Sequence, residues 1–147
     1  MRHLRGAGLV ATLLLASSCS SGPDLPPAIP EGTWGGDDAG LLLSATSAHV
    51  HVGCTAGNFG APIPVGGDGH FTAEGRYSHR HELYPLGTGQ SHPATLSGRL
   101  DSRDRLTFTV RVTDGGEVYG PAEVRLGVEP AMQNCPICRL PGAEAAP

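Results

Sequence analysis

The sequence predicts an all-β domain, a small antiparallel meander barrel of about six to eight strands. Three observations predict it. Five runs of residues alternate apolar and polar with period two, the pattern of half-buried strands. Short clusters of Gly, Asp and Ser separate those runs, and short connections make neighbouring strands antiparallel. After the first 18 residues no stretch carries a helical period. Each run has one apolar face, so the sheet must pack on a second sheet or close on itself. Closure also removes exposed edges.

The N-terminus precedes the barrel. Met1 to Arg5 is a short positive stretch, Gly6 to Leu15 is an uncharged apolar run, and Ala16-Ser17-Ser18-Cys19 follows. A charged start, a short apolar segment and small residues before a cleavage point make a secretory signal. The run is too short to span a bilayer. Leu15-Ala16-Ser17-Ser18-Cys19 resembles the lipobox of bacterial lipoproteins, with the usual Leu one place early. That resemblance implies diacylation of Cys19 and a new N-terminus there. Ser20 in the next position implies sorting toward the outer membrane. A plain secretory signal with an incidental Cys19 is the alternative. The expected organisation is a signal peptide over 1–18, a Pro-rich linker over 19–31, a barrel over 32–139 and a disordered tail over 140–147. The linker's prolines favour an extended polyproline spacer.

The stretch from Gly32 to Cys54 starts the domain. It holds Trp34, the only tryptophan. Leu41-Leu43-Ala45 is a weak alternating run. Ala48-Val50-Val52-Cys54 alternate with His49, His51 and Gly53, which places Cys54 on the apolar face. Phe71-Ala73-Gly75-Tyr77, Ala94-Leu96-Gly98-Leu100, Leu106-Phe108-Val110-Val112 and Ala122-Val124-Leu126-Val128 each alternate with polar neighbours. Thr46-Ser47, Gly66-Gly67-Asp68-Gly69, Ser102-Arg103-Asp104 and Asp114-Gly115-Gly116 supply turns. Gly and Pro make about a quarter of the chain and serve as punctuation, because disordered chains lack such alternation. Aromatic content is 5%, so the core is thin and a covalent staple would help it.

Gly32-Thr33-Trp34 resembles the Gly-x-Trp entry of the calycin superfamily, which includes the lipocalins. The resemblance implies that Trp34 plugs one barrel end and that a basic residue of the last strand, here Arg125, covers it. The whole chain also resembles small bacterial lipoproteins that open on such a strand, a group without an established activity.

Formal net charge is −4; without Arg2 and Arg5 the balance is 8 basic against 14 acidic residues, or −6. No basic stripe is present, so nucleic acid is not an expected partner. The expected partners are the membrane, through the lipid anchor, and a small apolar ligand or an envelope protein.

Cysteines and histidines are the candidate site residues. Export favours oxidation of thiols. A bridge from Cys54 to Cys135 or Cys138 would close a loop of about 80 residues, nominally worth ~4 kcal/mol. A local Cys135–Cys138 bridge is the rival. The Cys-Pro-Ile-Cys run has no following helix to lower a thiol pKa, so thiol-disulfide catalysis lacks support. Zinc on the three cysteines and a histidine lacks a second ligand pair at fixed spacing. His49 and His51 share one strand face, as do His79 and His81. Two such pairs on neighbouring strands would suit copper or zinc. The alternative is a polar face that uses His, one that would charge at acidic pH. No nucleophile elbow, buried carboxylate pair or phosphate loop appears, so neither an enzyme nor a resident cofactor is expected. The favoured reading is a non-enzymatic lipid-anchored binding or structural module of the envelope. The alternative is a periplasmic copper- or zinc-binding protein.

Overall fold

The computed structural model describes residues 24–78 and 90–132. Eight strands run β1 Gly32–Gly36, β2 Ala39–Leu43, β3 Ser47–Val52, β4 Thr55–Gly60, β5 His70–Ser78, β6 His92–Ser102, β7 Arg105–Val112 and β8 Val118–Leu126. Each pairs antiparallel with the next, and β8 returns to β1 to close the barrel. Among the described residues there is no helix. The all-β, antiparallel barrel expected from alternation is therefore the fold.

Alternation sets which side chains enter. Trp34, Leu41, Val50, Leu96, Val110 and Val124 point inward and are at most 2% exposed. Their neighbours Leu42, Arg111, Glu123 and Arg125 stay in water. Apolar inside and polar outside is the reverse of a barrel that spans a bilayer.

Aromatic rings fill this interior by lying against glycines. In register across β4 and β5, Gly57 faces Tyr77 and Phe59 faces Gly75. Gly98 on β6 faces Phe71 on one side and Phe108 on the other. A Cβ on Gly75 would sit 2.6 Å from the Phe59 ring, and one on Gly98 would sit 2.6 Å from the Phe71 ring. Alternation of large and small is how a small barrel is packed without voids. The rings leave no opening: Tyr77 is 0% and Phe108 1% exposed.

The two mouths differ. One holds the start of β1 and the turns after β2, β4 and β6. Residues 24–30 lie across it. Ile29 N–H donates to the Ile63 carbonyl at 3.0 Å and Val65 N–H to the Pro27 carbonyl at 2.9 Å. Ile29 and Ile63 are buried in the common core, with Leu25 packed against it. The second half of the proline-rich stretch is thus part of the domain, and its free length is shorter than its prolines suggest.

At the seam β1 and β8 share only the pairs Trp34–Leu126 and Gly35–Arg125. A strap reinforces them. The chain turns at Gly127, where φ is 77°, and runs back along β1. Gly127 N–H donates to the Thr33 carbonyl at 2.7 Å and Ala131 N–H to the Gly36 carbonyl at 3.0 Å. The strap lies so close that a Cβ on Gly40 would meet Pro130 at 2.5 Å and one on Gly35 the Glu129 carbonyl at 2.6 Å. The glycines of the opening motif are therefore needed for close approach of backbone.

Alternation predicts no strand over 55–60, where β4 lies. Its inward residues, Thr55, Gly57 and Phe59, include one bulky apolar side chain, so no apolar period shows. The alternation of β3 was also carried too far. β3 ends at Val52, and Cys54 follows Gly53 (φ 57°) in the turn to β4, half-buried rather than on an apolar strand face.

Substitution of Gly75 or Gly98 by Val should lower stability by about 1–3 kcal/mol through overpacking. A Cβ at Gly60 meets nothing within 4 Å, so Gly60→Ala should stay within about 0.5 kcal/mol of the parent. Denaturant midpoints of the three variants test the contrast; equal midpoints would contradict the packing.

Candidate functional site

The mouth opposite the N-terminal plug carries the turns after β1, β3, β5 and β7. His49 and His51 lie on β3 facing outward, on a half-buried patch leading to this mouth. Strand geometry puts residues i and i+2 on one face, and here the two rings meet. Their Nε2 atoms are 2.8 Å apart, with the rings edge to face at a centroid separation of 4.5 Å. His49 Nδ1 is 2.7 Å from Asn58 Oδ1 on β4. An amide oxygen only accepts, so His49 donates from Nδ1 and accepts at Nε2. His51 then donates from its Nε2. Asn58 faces His49 in the β3–β4 register. It belongs to the strand the sequence reading missed, and only the register reveals it.

His79 and His81 lie outside the described residues, as do Cys19, Cys135 and Cys138. Among the described residues no three or more His, Cys, Asp or Glu side chains gather as a metal cluster. The described part of the candidate site is therefore two imidazoles and an amide.

Beside Cys54, Thr55 links the hairpin to the barrel interior. Its hydroxyl donates to the Val52 carbonyl at 2.6 Å and accepts from the Tyr77 hydroxyl at 2.7 Å. Burial pushes the Tyr77 phenol up to about 12, opposed by its bond to Thr55. The Tyr77 and Tyr119 rings lie 5.2 Å apart. This cluster seals the mouth from inside.

A shallow hollow of about 670 Å³ lies at the seam, between the β1–β2 turn and β8, edged by Asp37, Asp38, Gly53, Glu123, Arg125 and Val128. Arg125 does not cover Trp34. Position 125 alternates outward, between Val124 and Leu126, and the guanidinium reaches Glu123 at 3.7 Å. The Trp34 indole N–H donates instead to the Pro30 carbonyl at 3.0 Å. The calycin-type cover expected of Arg125 is thus replaced by backbone from the N-terminal segment.

Among the described residues no polar or charged residue is buried. The shifted carboxylates sit at turns. A hydrogen bond from His70 N–H holds Asp68 below the usual carboxylate range, and one from the Ser102 hydroxyl does the same for Asp104. These are turn-stabilising contacts of exposed groups. Comparison of the chain with family models, curated proteins and solved structures returned no match.

Tyr77 makes stability sensitive to alkali. Its folded pKa of about 12 exceeds the unfolded value of 10.0. The stabilisation is complete below pH 10 and is lost as pH rises toward 12, by about 2–3 kcal/mol in total. Urea unfolding of the parent between pH 9 and 12 should show this loss, and Tyr77→Phe should remove most of it.

Proposed function

We propose that this chain is a lipid-anchored module of the bacterial cell envelope, held by acyl chains on Cys19 at the outer membrane. It acts through its outer surface on an envelope protein partner, without catalysis of its own. The packed interior carries this reading. Tyr77, Leu96, Val110 and Val112 are 0% exposed, so no water-sized void touches them. A small apolar ligand of the kind held by wide barrels would have no room there. The lipobox at Leu15–Cys19 supports the anchor, and several acyl chains make such an anchor stable.

The anchored end follows from the same reading. Residues 24–30 cross one mouth, and this is the side on which the described chain begins. An anchor on that side would leave the opposite mouth, with Cys54 and His51, facing away from the lipid.

Cys54 also supports an extracytoplasmic site of action. Asp38 N–H donates to the Ala131 carbonyl at 3.1 Å, and Asp38 in turn accepts from Gly53 N–H at 2.6 Å. One residue therefore bridges the end of the strap and the turn holding Cys54. Cys135 follows Ala131 by four residues in the sequence, a separation that extended chain covers at about 3.3 Å per residue.

Expression of the full chain in a diderm bacterium tests the anchor. Cys19→Ser should move the protein from the membrane fraction to the soluble one, and lipid mass should sit on Cys19 of the parent. An unprocessed N-terminal Met with an unmodified Cys19 would refute the reading. Non-reducing mass mapping should find Cys54 joined to Cys135, or to Cys138, in the exported protein. Reduction should then lower stability by up to about 4 kcal/mol.

A further inference from the structure

We propose that the hollow at the β1–β8 seam is a docking groove for an extended segment of a partner protein, one that alternates apolar and basic side chains. The inference rests on the envelope-module reading and names the surface through which such a module acts.

The hollow exists because β1 stops early. β1 ends at Gly36, and its last register pair with β8 is Gly35–Arg125. The chain then turns away at Asp37 and Asp38, where φ of Asp38 is 50°, and enters β2. β8 reaches back to Val118. Its residues Ala122 and Glu123 are paired with β7 on one side and have no register partner on β1. The barrel rim is therefore notched beside β8. The notch measures about 670 Å³, inside the range of roughly 300–1,000 Å³ that ligand sites occupy. A strand edge that lacks its neighbour is a template for an extended chain laid in the missing place.

The side chains around the notch define what fits. Val52, Pro121, Ala122 and Val128 give it an apolar lining. Val128 is 44% exposed, one of three large apolar side chains in water among the described residues. Asp37, Asp38 and Glu123 edge the same space. The one cation there is Arg125, which reaches Glu123 at 3.7 Å. Three carboxylates against one guanidinium leave a formal charge of −2 on the rim. Nothing from the first strands offsets it, because residues 24–75 contain no Lys or Arg. Charge complementarity therefore selects a basic partner.

Strand geometry sets the alternation. A segment continuing the line of β1 would send successive side chains to opposite faces of the wall. On the inner face they meet Val52 and Ala122, and apolar groups fit. On the outer face they meet Asp37 and Glu123, and basic groups fit.

The test titrates the isotope-labelled full chain with Ac-Lys-Val-Lys-Val-Lys-Val-NH2 and, separately, with Ac-Glu-Val-Glu-Val-Glu-Val-NH2. The basic peptide should shift the methyl resonances of Val52, Ala122 and Val128 saturably and bind at least tenfold more tightly than the acidic one. Asp37→Asn/Glu123→Gln should weaken it at least fivefold, with the β-sheet circular dichroism unchanged. Glu74→Gln/Asp101→Asn removes the same charge outside the notch and should leave binding within twofold of the parent. No saturable shift up to about 1 mM peptide, shifts centred elsewhere, or equal losses in the two double variants would overturn the proposal. So would the same methyl shifts on raising the protein concentration alone, the mark of a second copy in the groove. The titration involves no lipid, so its failure is distinct from failure of the Cys19 fractionation.

Discussion

The interior of an eight-stranded barrel is only as wide as the side chains that fill it, and the rest of this structure follows from that limit. Four aromatic rings must fit beside Trp34, and they do so because their register partners are glycines. Gly57, Gly75 and Gly98 are places where the wall is one backbone thick. The rings use that space, and the barrel closes without a chamber.

The same economy appears at the seam. β1 is five residues long and shares two register pairs with β8. Such a short contact would leave backbone groups of β1 open. The strap beyond Gly127 supplies the missing partners, and the glycines at 35 and 40 let it lie down. The opening motif therefore has two faces with different duties. Trp34 fills the inside, and its glycine neighbours receive backbone from outside. In the calycin resemblance a basic side chain performs the covering. Here position 125 falls on the outward parity, so that duty passes to the Pro30 carbonyl.

How much could be read in advance depended on bulk. Strands β5 to β8 each place at least two of Leu, Val, Phe or Tyr on the inward parity against polar neighbours, and the period is visible without any structure. β4 has Gly57 where a large side chain would have signalled the interior, because Tyr77 occupies that space from the neighbouring strand. Its invisibility and its packing have one cause. Alternation alone carries Cys54 onto the strand face, because the turn glycine Gly53 occupies a polar position and does not interrupt the period. The shared face of His49 and His51 was legible, since it needs only a period of two. Their 2.8 Å approach and the amide that sets their protons were not. Those depend on which residue of β4 lies opposite, and register is a long-range property.

The plug formed by residues 24–30 has a mechanical consequence. Tension arriving along the chain from the N-terminal side reaches Ile29 before any of the eight strands. There it meets a buried side chain and the paired backbone bonds to Ile63 and Val65. The weakest link under load is thus a stopper drawn from a bottle: it would come free while the walls behind it stayed shut.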